Sequence, residues 1–170
     1  LGPALNLLAA DTYRQLTSYG LGVVALFVLM GQVTYRSGIS RRLYAAAYDW
    51  IGSLPGGIAA TTILASIGFS TVSGSNSATT ATIGSVALPE MKKYRYDPGL
   101  SGGSVAIGGT LGVVIPPSTA LIIIAIQSEQ SITELFTAAL VPGLIVGVVL
   151  VASVVLLCWR RPHLGPPGPK

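Results

Sequence analysis

The sequence predicts an all-α integral membrane protein. Of its 170 residues, 51% are hydrophobic and only 9% are Asp, Glu, Lys or Arg, whereas a soluble domain carries about 25% charged residues. The mean hydropathy is +0.68. This composition excludes a disordered chain, a nucleic-acid-binding domain and almost any ordinary soluble enzyme. The net charge of +4 comes from short basic clusters between apolar stretches, a pattern that orients membrane proteins and does not form a phosphate-binding groove.

Four stretches without Asp, Glu, Lys or Arg are long enough to enter a hydrocarbon core of about 30 Å, which takes about 20 helical residues to cross. They are residues 15–35, 50–89, 99–128 and 135–159. The first and last have the length of single spans. The second is too long for one straight helix, and the third is interrupted by glycine pairs and by two consecutive prolines.

The charges around residues 50–89 predict the course of that stretch. It is preceded and followed by basic residues: Arg36, Arg41 and Arg42 before it, and Lys92, Lys93 and Arg95 after it. Basic loops favour the cytoplasmic side, so the stretch leaves on the side it entered. Its centre, residues 73–77, is a polar turn, and only about 20 Å of helix remains from there to Pro89. We therefore interpret residues 55–90 as a re-entrant helical hairpin, with two tightly turned full spans as the alternative.

The same charge argument assigns the rest of the chain. Residues 1–35 are the first transmembrane region, and residues 36–54 are a cytoplasmic linker with an interfacial helix, which could equally be a plain loop helix packed on the protein. Residues 98–128 form a broken transmembrane helix and residues 135–159 a further transmembrane helix. Residues 160–170 are a cytoplasmic tail rich in Pro and Gly.

Polar backbone is predicted at membrane depth in two places, residues 73–77 and residues 108–119. Unpaired backbone groups cost several kcal/mol each in hydrocarbon (a rough figure), so irregular backbone needs a protein-lined cavity. Hydroxyls, carbonyls and the Asn76 amide are neutral oxygen donors that suit an alkali cation better than a transition metal. Helix ends add dipoles for an anionic substrate, and such broken helices are typical of transporter binding sites. The alternative, that small polar residues only pack helices, is preferred for Thr61, Thr62, Ser66, Ser70 and Ser101.

Catalysis and organic cofactors are not predicted. The only histidine, His163, lies in the tail, and no acid or base at membrane depth could activate a serine nucleophile. The single cysteine, Cys158, forms neither an internal disulfide nor a zinc cluster.

Three motifs carry a family resemblance: VSGSNSAT at residues 72–79, VALPEM at residues 86–91 and GGTLGVVIPPS at residues 108–118. With shorter matches they follow one another in order over roughly residues 20–145. This series resembles the large membrane subunit of tripartite ATP-independent periplasmic (TRAP) transporters.

The resemblance implies a secondary transporter of the bacterial inner membrane that imports organic acids, such as C4-dicarboxylates or sialic acids, with a sodium gradient. Its implied partners are a periplasmic substrate-binding protein, a small membrane subunit and the lipid bilayer, with no nucleic acid. The family's fold has two inverted repeats and moves like an elevator, but this chain contains one repeat. We therefore expect it to be part of a longer subunit or to pair with another, and we expect no uptake by this chain alone.

The resemblance also assigns candidate site residues by motif. The candidate Na⁺ ligands are Ser73, Gly74, Ser75, Asn76, Gly109 and Thr110. The candidate substrate contacts are Ser75, Asn76, Ser77, Pro116, Pro117 and Ser118. The alternatives are a non-transporting membrane interaction or assembly module, and a relic of another ion-coupled hairpin transporter.

Overall fold

The computed structural model describes residues 2–17 and 19–168, and this part of the chain is helical, with no strand. Its helices are, in chain order, α1 (Gly2–Leu16), α2 (Tyr19–Arg36), α3 (Ile39–Ile51), α4 (Gly57–Ser73), α5 (Asn76–Lys93), α6 (Pro98–Val114), α7 (Thr119–Gln127) and α8 (Ile132–Arg160). The predicted all-α class is confirmed.

Two helical segments in the described ranges are long and apolar enough to cross a membrane, Pro98–Gln127 and Ile132–Arg160. A bent pair, Gly22–Thr34 and Ile39–Ile51, meets the same criterion only when its two helices are taken together, and the angle between them is 68°. These segments confirm an integral membrane protein. The re-entrant course of residues 55–90 stays a prediction.

The apolar stretch at residues 15–35 is divided between two helices. α1 ends at Leu16, and α2 starts at Tyr19. With 18 residues, α2 is about 27 Å long, so it approaches the thickness of the hydrocarbon core only if it lies close to the membrane normal.

α4 is the central helix of the fold. It packs against α2, α3, α5, α6 and α8, and every residue from Gly57 to Ile63 is buried. Several of its hydroxyls donate to carbonyls of the preceding turn, as Ser66 does to Thr62 at 2.8 Å and Ser70 does to Ser66 at 2.6 Å. These hydroxyls are satisfied inside their own helix and need no water, whereas the fully buried Thr61 hydroxyl has no partner among the described residues.

α5 is longer than the sequence pattern suggests. The sequence predicts a second hairpin arm that reaches only to Pro89, but the helix continues through this proline to Lys93. Proline removes one backbone hydrogen bond, and here this does not end the helix. The two arms, of 17 and 18 residues, are therefore about 26 Å and 27 Å long.

The residues after α8 join the two ends of the hairpin base. The Gly56 N–H donates to the Gly165 carbonyl at 2.9 Å, and the Asp97 N–H donates to the Leu164 carbonyl at 2.9 Å. The hydroxyl of buried Tyr96 donates to the Pro166 carbonyl at 2.7 Å. We call residues 161–168 the tail strap, because they connect the start of α4 with the loop that precedes α6.

Candidate functional site

The chain reverses direction between α4 and α5 in a short polar tip. Gly74 ends α4 in the left-handed conformation (φ 57°), and its N–H donates to the Ser70 carbonyl at 3.0 Å. A glycine adopts this conformation without the steric penalty of a side chain. Ser75 is extended and begins α5, because its hydroxyl accepts a hydrogen bond from the Ala78 N–H at 3.4 Å. The glycine and the serine cap thus define the tip.

A second interruption separates α6 from α7. α6 ends at Val114, Ile115 is extended, and Ser118 begins α7 by accepting a hydrogen bond from the Leu121 N–H at 3.5 Å. Two prolines stand between these residues, and the peptide bond that joins them is cis. We call residues 115–118 the break.

The tip and the break are in direct contact. The Gly74 carbonyl accepts hydrogen bonds from the Thr119 N–H and from the Thr119 hydroxyl, each at 3.2 Å. A Cβ atom placed on Gly74 would lie 2.8 Å from the Pro117 carbonyl oxygen. The ends of α4 and α6 and the beginnings of α5 and α7 therefore meet in one small region.

Glycines on α6 allow this helix to pack closely against both arms of the hairpin. A Cβ on Gly112 would lie 3.2 Å from the Ser75 carbonyl oxygen, and one on Gly109 would meet the Thr80 hydroxyl and lie 3.2 Å from Asn76 Oδ1. Gly108 faces the other arm, since its Cβ would lie 2.6 Å from Ser66 Oγ. Adjacent glycines thus dock α6 against α5 and α4 at the same height.

A hydrogen-bond chain inside the tip was not recognised in the sequence. Thr79 is fully buried, its hydroxyl donates to the Ser75 carbonyl at 2.8 Å, and it lies 2.8 Å from Ser73 Oγ. Because the Thr79 proton is used on the carbonyl, Ser73 is the donor to Thr79. The Ser73 oxygen also accepts from the Ser75 N–H at 3.5 Å, which leaves it one lone pair. The run of threonines after the tip was the available signal for this residue. Thr119, the other contact outside the predicted site residues, is the last residue of the polar stretch 108–119.

The structure brings most of the predicted site residues together, but not all of them. Residues 73–76 and 116–118 lie at the contact between tip and break, with Gly109 facing Asn76 from α6. Ser77 is exposed, and its hydroxyl lies 3.4 Å from Ser75 Oγ. Thr110 is exposed and donates its hydroxyl to the Ile107 carbonyl of its own helix at 2.7 Å, so the structure does not place it with the tip.

The groups that meet here are neutral oxygen donors at helix ends. Among the described residues there is no cluster of three or more His, Cys, Asp or Glu that could hold a metal ion, so the donors available at the tip are hydroxyls, carbonyls and the Asn76 amide. Such hard neutral oxygens suit alkali cations. The beginnings of α5 and α7 carry partial positive charge and the ends of α4 and α6 partial negative charge, so the region offers binding partners to both an anion and a cation.

Comparison with known proteins identifies the family. Residues 2–167 match the family model described as the DctM component of the tripartite ATP-independent periplasmic transporter. The chain is 35% identical over 150 residues to the C4-dicarboxylate TRAP transporter large permease protein DctM of Pseudomonas aeruginosa, an alignment that covers 88% of this chain and 35% of that protein.

Two further relatives are named for other substrates. The chain is 31% identical over 155 residues to the 2,3-diketo-L-gulonate TRAP transporter large permease protein YiaN of Escherichia coli, covering 91% of this chain and 36% of that protein. It is 29% identical over 160 residues to the sialic acid TRAP transporter large permease protein SiaM of Vibrio cholerae, covering 94% and 38% respectively. The chain therefore spans between 35% and 38% of the length of these three relatives. Since the family match extends over nearly all of its residues, the chain belongs to the DctM component family of tripartite ATP-independent periplasmic transporters.

Proposed function

We propose that this chain is part of a large permease subunit that imports a small organic acid by coupling its movement to sodium. A periplasmic binding protein would deliver the acid, and a small membrane subunit would complete the transporter. The substrates for which the relatives are named support this class, because a C4-dicarboxylate, a diketo-gulonate and a sialic acid all carry carboxylates.

The observation that carries the proposal is the meeting of four helix ends around the contact between Gly74 and Thr119. Two interrupted helices facing each other are more than close packing requires, because each interruption leaves backbone groups without their regular partners. In transporters, such interruptions coordinate ions with carbonyls and anions with helix N-termini.

The sodium ion would be held by the tip and the adjacent face of α6. Ser73 and Ser75 offer hydroxyl oxygens, Gly74 a carbonyl and Asn76 its amide oxygen. Gly109 supports this group by leaving room beside the amide, because a Cβ at this position would lie 3.2 Å from Asn76 Oδ1. Thr110 remains a candidate only with a change in its side chain or in the rotation of α6, since it is exposed and no contact places it with the tip.

The substrate would bind on the side of the tip that faces the break. Ser75, Asn76 and Ser77 belong to the first turn of α5, and Ser118 caps α7. Their hydroxyls, the amide and the free N–H groups of two helix N-termini are donors suited to a carboxylate. Pro116 and Pro117 would line this space without donating hydrogen bonds.

Sodium-dependent stability tests the proposal. The purified chain is unfolded by heat in detergent with sodium chloride or with potassium chloride at equal ionic strength. We expect sodium to be stabilising by about 1.4 kcal/mol at ten times its dissociation constant. Ser75→Ala should remove this response.

Ser131→Ala is the matched control. Ser131 caps α8 with the geometry that Ser75 has on α5, accepting from the N–H three residues later at 3.4 Å, but it is exposed and lies at a different helix start. Both variants should lose about 1 kcal/mol of cap stabilisation, and only Ser75→Ala should lose the sodium response. Equal stability of the parent chain in both salts would contradict the proposal and favour a tip that serves only in packing.

A further inference from the structure

A polar cavity of about 370 Å³ lies between the α2–α3 turn and the middle of α5. Arg36 and Arg41 line it from the turn, and Ser85 and Val86 line it from α5. Among the residues that the structure describes, the one ion pair joins Lys93 to Glu90, so neither arginine of the cavity has a carboxylate within 4 Å. Two exposed cationic groups without a carboxylate partner therefore line one open pocket.

A buried hydroxyl without a partner lines the same cavity. Thr82 is 3% exposed, and its Oγ1 atom has no hydrogen-bond partner in the described chain. The neighbouring Ser85 hydroxyl is already used, since it donates to the Thr82 carbonyl at 2.7 Å. Buried hydroxyls are almost always hydrogen-bonded, and an acceptor oxygen in the cavity would satisfy this one. The two guanidinium groups and the hydroxyl together select a ligand with several anionic oxygens.

An apolar stripe on α2 leads into the cavity from the bilayer. Leu26, Leu29 and Val33 are 68%, 59% and 62% exposed, and their spacing places them with Arg36 on one face of the helix. Acyl chains can lie along this stripe while a headgroup reaches the arginines. The basic residues mark this end of α2 as cytoplasmic, and basic pockets between helices on that side suit anionic lipids.

We propose that this cavity binds the phosphate of an anionic phospholipid headgroup. Arg36 and Arg41 contact the phosphate oxygens, Thr82 donates its hydroxyl to one of them, and the lipid chains follow the α2 stripe. The volume lies within the range of small-molecule sites, roughly 300–1,000 Å³. The site is independent of sodium coupling, because it uses none of the residues at the tip or the break.

Lipid titration tests the site. The chain in dodecyl maltoside is titrated with dioleoyl phosphatidylglycerol or dioleoyl phosphatidylcholine, and thermal unfolding reports the apparent affinity. We expect stabilisation by phosphatidylglycerol alone. Arg36→Gln and Arg41→Gln should each weaken it about fivefold, and the double variant about thirtyfold, since each basic group near an anionic membrane contributes about this factor.

Arg42→Gln is the matched control, because Arg42 is adjacent to Arg41, exposed and outside the cavity. It should leave the affinity unchanged, and an equal loss in this variant would show general surface attraction and overturn the site. sn-Glycerol 3-phosphate tests a soluble source of the same chemistry. If it stabilises the chain as strongly as the lipid at equal concentration, the lipid assignment is overturned.

Thr82→Val separates the site from a structural effect. Without lipid this variant should be at least as stable as the parent, because it removes a buried hydroxyl that has no partner. With phosphatidylglycerol its stabilisation should be smaller than that of the parent. An unchanged lipid response in Thr82→Val would contradict the proposal, even where an arginine variant fails to fold.

Discussion

Replacing Gly74 by alanine tests the contact between the tip and the break most directly. Gly74 is left-handed, with φ 57°, and a side chain in this conformation costs about 1 kcal/mol. The added Cβ would lie 2.8 Å from the Pro117 carbonyl oxygen, a backbone atom that cannot rotate away. The tip must therefore move off the break, which weakens the two hydrogen bonds from Thr119 that its carbonyl accepts at 3.2 Å.

The expected loss follows from these terms. Two hydrogen bonds at about 1 kcal/mol each, added to the backbone penalty, give a destabilisation of about 3 kcal/mol. For a chain of this length, that lowers the melting temperature by roughly 6–12 °C. Because the same displacement separates the helix ends, the stabilisation by sodium over potassium should also be lost.

Gly38→Ala supplies the control for the backbone penalty. Gly38 is also left-handed, with φ 75°, but a Cβ there meets nothing within 4 Å. This variant should lose only about 1 kcal/mol and keep its sodium response, as measured by thermal unfolding in detergent with each salt. If Gly74→Ala were no less stable than Gly38→Ala, the contact between tip and break would contribute nothing, and the reasoning from the structure would be refuted.

Three further variants test other parts of the structure. Gly112→Val should destabilise the chain by about 1–3 kcal/mol by overpacking α6 against the tip, whereas Gly102→Ala, whose Cβ meets nothing within 4 Å, should be neutral or stabilising in the same unfolding assay. Thr79→Val should cost about 1–3 kcal/mol, because it leaves the buried Ser73 hydroxyl without its acceptor, while the Ser75 carbonyl keeps the Thr79 N–H at 3.0 Å. An unchanged denaturation midpoint would contradict the hydrogen-bond chain. Burial raises the pKa of Tyr96 from 10.0 to about 12, so the folded state favours the neutral phenol. The corresponding contribution to the free energy of unfolding is about 2–3 kcal/mol. It is complete below pH 10 and is lost as the pH rises towards 12. Tyr96→Phe should be less stable at neutral pH and should lose less stability across that alkaline range, as followed by unfolding at each pH.

Much of the candidate site could be located from the sequence, because breaks in membrane helices have local causes. A glycine between serines and a pair of prolines interrupt a helix through their own backbone preferences, without help from neighbouring helices. The pairing of tip and break was suggested by the family resemblance, and the structure places them in contact through Gly74 and Thr119. Their roles in binding sodium and substrate stay predictions.

Other features had no local signal. Gly108 and Gly109 look alike in sequence, yet one faces Ser66 on α4 and the other faces Asn76 on α5. The exposed position of Thr110 follows from the same helix rotation, which the packing of α6 sets. The tail strap pairs Asp97 with Leu164 across a long stretch of chain, and residues so distant in sequence leave no periodic pattern.

The sequence by itself determined the membrane class, the family and the places where the helices are interrupted, because charge depletion, motifs and turn residues act locally along the chain. Only the tertiary structure decided which side of each helix meets which partner. It joined the tip to the break, connected the tail strap to the hairpin base, and brought Arg36 and Arg41 to the same open cavity as Thr82. These are distant pairings whose partners are selected by packing in three dimensions, and packing depends on the rotation of each helix about its axis, which a nearly uniform apolar sequence does not specify.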